Sequence, residues 1–133
     1  MNYQELLKIL SAKPEADQCY PFYPDVPVFK IKGKVFAIAS LRNGKAQVNL
    51  KCSPDQSEVL RMLFDSVVPG YHMNKKHWNT VFIDSEIPAS KVPDYEIERM
   101  IDHSYGLVVK GLKASQRKSL ELGYGHKAIY GDQ

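Results

Sequence analysis

The sequence has few of the residues that build metal, cofactor and covalent-catalytic sites. Its 133 residues include two cysteines, Cys19 and Cys52, which lie far apart and form no CxxC pair. Neither a disulfide framework nor a zinc knuckle is therefore predicted. The four histidines have no cysteine or carboxylate at metal-ligand spacing, and no phosphate-binding loop, dinucleotide-binding motif or nucleophile elbow occurs. We expect no metal, no cofactor and no enzymatic activity.

Long hydrophobic runs are also missing. No stretch approaches the roughly 18 apolar residues that a membrane-spanning helix needs, and the first ten residues, MNYQELLKIL, have neither the basic nor the apolar region of a signal peptide. Hydrophobic residues make up 44% of the chain and charged residues 25%, which is typical of a globular protein. We expect a cytoplasmic protein without a membrane partner.

Charge is present but unevenly distributed along a chain whose net charge is +3. Residues 26–83 contain nine basic and three acidic residues, and no acid lies between Asp25 and Asp55. Residues 84–106 contain six acidic and two basic residues. A basic sheet beside an acidic helix would steer a polyanion towards one face. The simpler interpretation is a solvated basic surface without a ligand.

The hydrophobic pattern predicts elements in the order α-β-β-β-α-β-β-α. The predicted helices are 2–12, 53–68 and 94–112, and the predicted strands are 28–32, 35–41, 46–51, 71–73 and 78–83. This order predicts an α+β two-layer sandwich, with an antiparallel sheet covered on one face by helices. We expect a single domain over residues 1–112 and a C-terminal extension over residues 113–133, in which a short helix at 115–122 precedes a mobile tail.

The Asn43-Gly44 pair predicts a two-residue hairpin, because a type I′ turn needs positive φ at both central residues. This turn places six apolar residues on the helix-covered face, as the pairs Leu41 with Ala46, Ala39 with Val48 and Ala37 with Leu50. The opposite face carries Ser40 with Gln47, Ile38 with Asn49 and Phe36 with Lys51. Such a mixture suits a ligand with charged and flat apolar parts, such as nucleic acid. A homodimer contact, or partial cover by the loop at 20–24, remains open.

The segment Asn74-Lys75-Lys76-His77 predicts a second basic turn. Lysines at a hairpin tip can reach phosphates, and a side-chain amide can bind a phosphate or a base edge. An ordinary exposed turn is the alternative. The next residue, Trp78, is predicted to be a buried core residue rather than a base-stacking platform.

Four blocks of the sequence resemble the MmcQ/YjbR family of small bacterial proteins. The blocks are Gly33-Lys34-Val35-Phe36-Ala37, Val48-Asn49-Leu50-Lys51, the run PGYHMNKKHWNTV at 69–81, and Ser104-Tyr105. The resemblance covers about residues 1–112 and implies an α-β(3)-α-β(2)-α sandwich similar to that of secretion chaperones. It also implies DNA binding through a double-wing motif, whose wings would be the hairpins around residues 42–45 and 74–77.

Two hypotheses of function follow. In the first, a non-enzymatic protein binds the DNA phosphate backbone through two basic wings with low sequence specificity. Its binding residues are Lys34, Arg42, Lys45, Asn49, Lys51, Asn74, Lys75, Lys76 and His77. In the second, the sheet face with Phe36 and Ile38 is a protein-interaction or chaperone-like surface, used in a dimer. A small molecule bound beside the loop at 20–24 is a third reading.

Overall fold

The computed structural model describes residues 1–70, 73–83 and 91–131, in which the chain forms an antiparallel six-stranded sheet with helices packed on one face. The helices are α1 (Tyr3–Ser11), α2 (Pro54–Leu63), α3 (Asp94–Lys110), α4 (Ala114–Tyr124) and α5 (His126–Tyr130). The strands are β1 (Asp17–Cys19), β2 (Val28–Ile31), β3 (Lys34–Arg42), β4 (Lys45–Lys51), β5 (Val67–Pro69) and β6 (Trp78–Phe82). Their order across the sheet is β1-β2-β3-β4-β6-β5. The predicted α+β sandwich is confirmed.

The helical layer forms where the sequence predicts it. The capping box of α1 is present, with Asn2 Oδ1 accepting from Glu5 N at 2.8 Å, and Leu6 and Leu10 of this helix are fully buried. The predicted apolar stripe of α3 is buried as well, at Ile97, Ile101, Tyr105, Val108 and Leu112. None of the helices in the described ranges has the length and apolarity required to cross a bilayer.

The β3–β4 hairpin has the predicted turn and register. Asn43 has φ 53° and Gly44 has φ 74°, and the observed pairing matches the predicted pairs from Leu41 with Ala46 to Ala37 with Leu50. Five of the six predicted core residues of this hairpin are buried. Leu41, next to the hairpin tip, is 50% exposed.

The prediction that Phe36 lies on the open side of the sheet is wrong. Phe29 pairs with Ala37 and Lys30 pairs with Val35, so Phe36 is an extra residue in β3 without a partner in β2. Such a bulge breaks the regular alternation of side chains. Phe36 is therefore fully buried, and its ring meets that of Tyr105 edge-on at 5.2 Å.

The segment after α2 also differs from the prediction. The helix ends at Leu63 instead of continuing to residue 68, and Val67 lies in β5, where it pairs with Val81. Val59 and Leu63 fit the apolar period of the helix predicted at 53–68, but both are more than half exposed. The predicted strand at 71–73 falls largely outside the described residues, and Met73 belongs to no strand.

Both ends of the sequence contribute elements that the pattern did not predict. The short β1 lies within a region predicted as loop, where it pairs with β2. At the other end, α5 replaces the predicted mobile tail over residues 126–130. Leu120, Ile129 and Tyr130 belong to the main hydrophobic cluster, and α5 packs against α3. The C-terminal extension is therefore part of the same core.

Candidate nucleic-acid interface

The candidate site lies on the sheet face that points away from the main core. We call this the open face and define it by the residues that alternate with buried core residues along β3, β4, β6 and β5. They are Ile38, Ser40, Arg42, Lys45, Gln47, Asn49, Lys51, Trp78, Thr80, Phe82 and Val68. At the β2 side of this face Val28 is fully buried, and Thr80 on β6 is buried as well. The accessible part is formed by the other residues of these four strands.

The two predicted wings lie at opposite ends of the open face. Arg42 and Lys45 pair with each other and flank the β3–β4 turn, which we call the hairpin end. Lys51 pairs with Trp78 at the other end of β4, where the turn at 74–77 enters β6. Six residue steps of β4 separate Lys45 from Lys51, which is about 20 Å. The wings therefore do not converge on one point.

The end of β4 at Lys51, together with the turn at 74–77, forms what we call the turn end. Asn74 shapes this turn: its Oδ1 accepts from Lys76 N at 3.0 Å, and its carbonyl accepts from the backbone N–H groups of His77 and Trp78. The side-chain oxygen of Asn74 is therefore used within the turn, and the predicted contact with a base or phosphate would be made by its amide N–H groups. Lys75 and Lys76 are exposed. The carbonyl of His77 accepts from Cys52 N at 2.8 Å.

Arg61 of α2 holds the turn end against the helical layer. Its Nε donates to Asn79 Oδ1 at 2.8 Å, and its Nη2 donates to the carbonyls of Lys75 at 2.5 Å and Trp78 at 3.3 Å. The sequence did not reveal this role, because the pattern of an amphipathic helix is the same whether its arginine is solvated or hydrogen-bonded to a distant loop.

Ser104 of α3 is a second residue whose role the sequence did not reveal. Its buried hydroxyl donates to the carbonyl of Phe36 at 2.6 Å and accepts from Lys51 N at 2.8 Å. It thus bridges β3 and β4 beside the bulge and fixes the backbone of Lys51.

Lys34 lies at the same end of the sheet as the turn end, on β3, which is next to β4 and two strands from β6. The turn before it is formed by Lys32 and Gly33, both at positive φ, and not by Gly33 and Lys34, the two residues between the predicted strands. Lys32 is paired with Glu15 at 2.8 Å, whereas Lys34 is exposed at the start of β3.

Three of the four acidic residues of α3 form ion pairs away from the open face. Asp94 binds the amino group of Met1 at 3.1 Å, Glu96 binds Arg99 at 2.8 Å, and Asp102 pairs with Lys13. By contrast, five basic side chains of the open face and its turn form no ion pair with any residue that the structure describes. They are Arg42, Lys45, Lys51, Lys75 and Lys76. Their charge is available to a ligand.

Two aromatic side chains lie between the basic ends. The prediction for Trp78 holds only in part, because its side chain is partly buried but lies outside the main hydrophobic cluster. Phe82 is 37% exposed and lines an open groove of about 310 Å³ with Arg42, Gln47, Val68, Pro69 and Thr80. The Thr80 hydroxyl donates to Asn49 Oδ1. The face thus combines cations, amides and aromatic rings.

Within the described ranges, no group of three or more His, Cys, Asp and Glu side chains is placed to hold a metal ion. Cys52 is buried, and burial raises the pKa of its thiol above the usual value. A neutral thiol is a poor nucleophile.

Comparison with known proteins gives consistent matches over most of the chain. The family model named YjbR matches residues 11–107. The uncharacterised protein YbdF of Escherichia coli O157:H7 is 39% identical over 110 residues, which are 83% of this chain and 86% of YbdF. The uncharacterised protein YjbR of Escherichia coli K12 is 34% identical over 120 residues, covering 90% of this chain and 98% of YjbR.

Solved structures share the fold. The crystal structure of Deinococcus radiodurans protein DR2400, a DUF419 domain, matches with a TM-score of 0.77 and 31% identity, over 90% of this chain and 87% of that chain. A Pseudomonas syringae protein matches with a TM-score of 0.67 and 27% identity, over 80% of this chain and 98% of that one.

Proposed function

The chain belongs to the YjbR family, and we propose that it is a non-enzymatic protein that binds DNA through the phosphate backbone. The observation that carries this proposal is the charge of the open face and its turn. Five basic side chains lie at its two ends without an acidic partner among the described residues, while the acids of α3 pair with groups of the helical layer or lie on that layer.

The spacing of the two basic ends supports a polymeric ligand. About 20 Å between the ends corresponds to about six steps of 3.4 Å along one nucleic-acid strand. Between them lie polar groups that hydrogen-bond phosphate, sugar or base edges, including Gln47 and Asn49. Phosphate contacts carry no sequence information, so the expected specificity is low.

The salt dependence of binding tests this proposal. If about four phosphates are neutralised, log K should fall against log salt with a slope near −3.5. Replacing Lys75 and Lys76 by alanine should reduce the magnitude of that slope by about 2, equally for unrelated sequences. Both side chains are exposed, so the double variant should keep its fold.

A matched control removes the same charge from the helical layer. Lys8 and Lys118 are exposed on α1 and α4, and replacing both by alanine should leave the slope unchanged. Absence of salt-sensitive binding by the wild-type protein at low ionic strength would refute the proposal.

The alternative hypothesis, a protein-interaction or chaperone-like surface on the same face, loses one of its two anchors. Phe36 is buried against Tyr105, which leaves Ile38 as the predicted apolar contact. An apolar partner or a second copy of the chain would also have to cover the lysine and arginine side chains around this residue. Burying a charged side chain that has no ion-pair partner is costly. The charge therefore favours a polyanion.

A further inference from the structure

We infer that the nucleic acid bound by the open face is single-stranded, with its bases stacked on Trp78 and Phe82. This inference rests on the proposed function and adds the form of the ligand. Both rings project from β6, at positions that share one face because side chains alternate along a strand. Their neighbours Asn79 and Val81 are buried on the opposite face.

The spacing of the two rings suits a strand with unpaired bases. Four residue steps separate Trp78 from Phe82, which is about 13 Å or about four base steps of 3.4 Å. Aromatic side chains on a sheet stack splayed bases of single strands regardless of sequence. In a duplex the base faces are already stacked on one another, so these rings would have no base face to contact.

Each ring also has a cation beside it for the adjoining phosphate. Lys51 is the cross-strand partner of Trp78, and directly opposed side chains on one face of a sheet lie about 4.5–5.5 Å apart at Cβ. Arg42 lines the groove that contains Phe82. A base on the ring and a phosphate on the cation is the arrangement that single-strand binding surfaces use.

Two side-chain amides, those of Asn49 and Gln47, lie on the strand beside the two rings. Thr80 donates its hydroxyl hydrogen to Asn49 Oδ1, which leaves the amide N–H groups of Asn49 without a partner in the described part of the chain. Gln47 pairs with Phe82 across the strands and lines the same groove. These amides would bind base edges or phosphate without imposing one sequence.

Fluorescence offers a direct test, because Trp78 is the only tryptophan in the sequence. The probe is an oligothymidylate longer than the roughly 4–16 nucleotides that one single-strand-binding fold covers, compared with a duplex of equal length at low salt. We expect the oligothymidylate to quench Trp78 emission and to bind about ten-fold tighter than the duplex or more.

The variant Phe82→Leu keeps an apolar side chain and removes the aromatic ring. It should lower the affinity for the oligothymidylate by about 5- to 150-fold, the equivalent of about 1–3 kcal/mol per stacked base. Duplex affinity and the salt slope should be unchanged. Tyr95→Leu is the matched control, since Tyr95 is 68% exposed on α3 and its replacement should alter neither ligand's affinity.

Two outcomes separate this inference from the proposed function. Salt-sensitive binding in which the duplex matches or exceeds the single strand, or in which Phe82→Leu has no effect, overturns the inference and leaves DNA binding intact. If neither the oligothymidylate nor the duplex binds in a salt-dependent way, the inference and the proposed function are both refuted.

Discussion

Removing the hydroxyl of Ser104 should destabilise the fold more than removing the hydroxyl of an exposed serine. In Ser104→Ala, Lys51 N loses its acceptor at 2.8 Å and the Phe36 carbonyl loses its donor at 2.6 Å. Ser104 is fully buried, and the pairing of β3 with β4 ends at Ala37 with Leu50, one step before Phe36 and Lys51.

The magnitude follows from the number of orphaned groups. A buried donor or acceptor left without a partner costs about 1–3 kcal/mol, so two of them should lower the free energy of unfolding by about 2–6 kcal/mol. Domains of this size are stable by about 5–15 kcal/mol. The loss should therefore be a large fraction of the total.

Urea unfolding followed by circular dichroism measures this loss, and hydrogen exchange at the Lys51 amide locates it. That amide should exchange faster in Ser104→Ala than in the wild type. The matched control is Ser119→Ala, because Ser119 is exposed on α4 and its replacement should change the free energy by less than about 0.5 kcal/mol. A loss below about 0.5 kcal/mol in Ser104→Ala itself would refute the reasoning.

Three further changes have expected outcomes. Gly44→Val should lower the free energy of unfolding by about 1–2 kcal/mol, because Gly44 has φ +74° while open space surrounds its Cβ position. The control is Gly123→Val, which lies in equally open space at an ordinary φ. If the two variants are equally stable, the backbone strain at Gly44 is contradicted. Arg61→Lys should speed amide exchange at His77 and Trp78, since fewer bonds then hold the turn; unchanged exchange would show that the turn holds itself. Burial, and then the hydrogen bond to Glu121, raises the pKa of Tyr130 to about 12. Because the folded-state pKa lies above the ordinary value of 10, the contribution of Tyr130 to stability should be constant below pH 10 and should be lost as the pH rises towards 12. An ultraviolet titration in which all tyrosines of the native protein ionise near pH 10 would contradict this.

Local signals in the sequence predicted the parts of the fold that depend on local chemistry. Asn43-Gly44 sets positive φ at both positions, and that alone gave the register of β3 against β4. The capping box at Asn2 and the apolar period of α3 are equally local. Each of these elements has the predicted position.

The errors came from long-range pairing. Val67 fits the apolar period of α2, but pairing with Val81 places it in β5. Alternation assigned Phe36 to the open face, because the extra residue of a bulge has no signature in the pattern. Trp78 was predicted to lie in the core because it stands between Met73 and Phe82 in the sequence, but β6 places it on the open face, opposite Lys51.

The candidate site shows the same limit. Its basic residues were visible in the sequence, but their arrangement depends on β6 lying beside β4. That neighbourhood places Lys51 and the turn at 74–77 at one end and Arg42 and Lys45 at the other. Arg61 and Ser104 could not be identified in advance, because their partners are distant backbone carbonyls and amides.

The length of β4 sets a minimum length for a ligand that can contact both basic ends at once. A hydrogen-bonded strand is a stiff spacer, so a ligand held at one basic end meets the other at a high effective concentration only if it reaches across. Oligonucleotides too short for that span should bind as monovalent ligands, and affinity should rise steeply once both ends are engaged and then level off. The number of residues between Lys45 and Lys51, rather than the number of lysines, thus sets the shortest ligand that gains avidity.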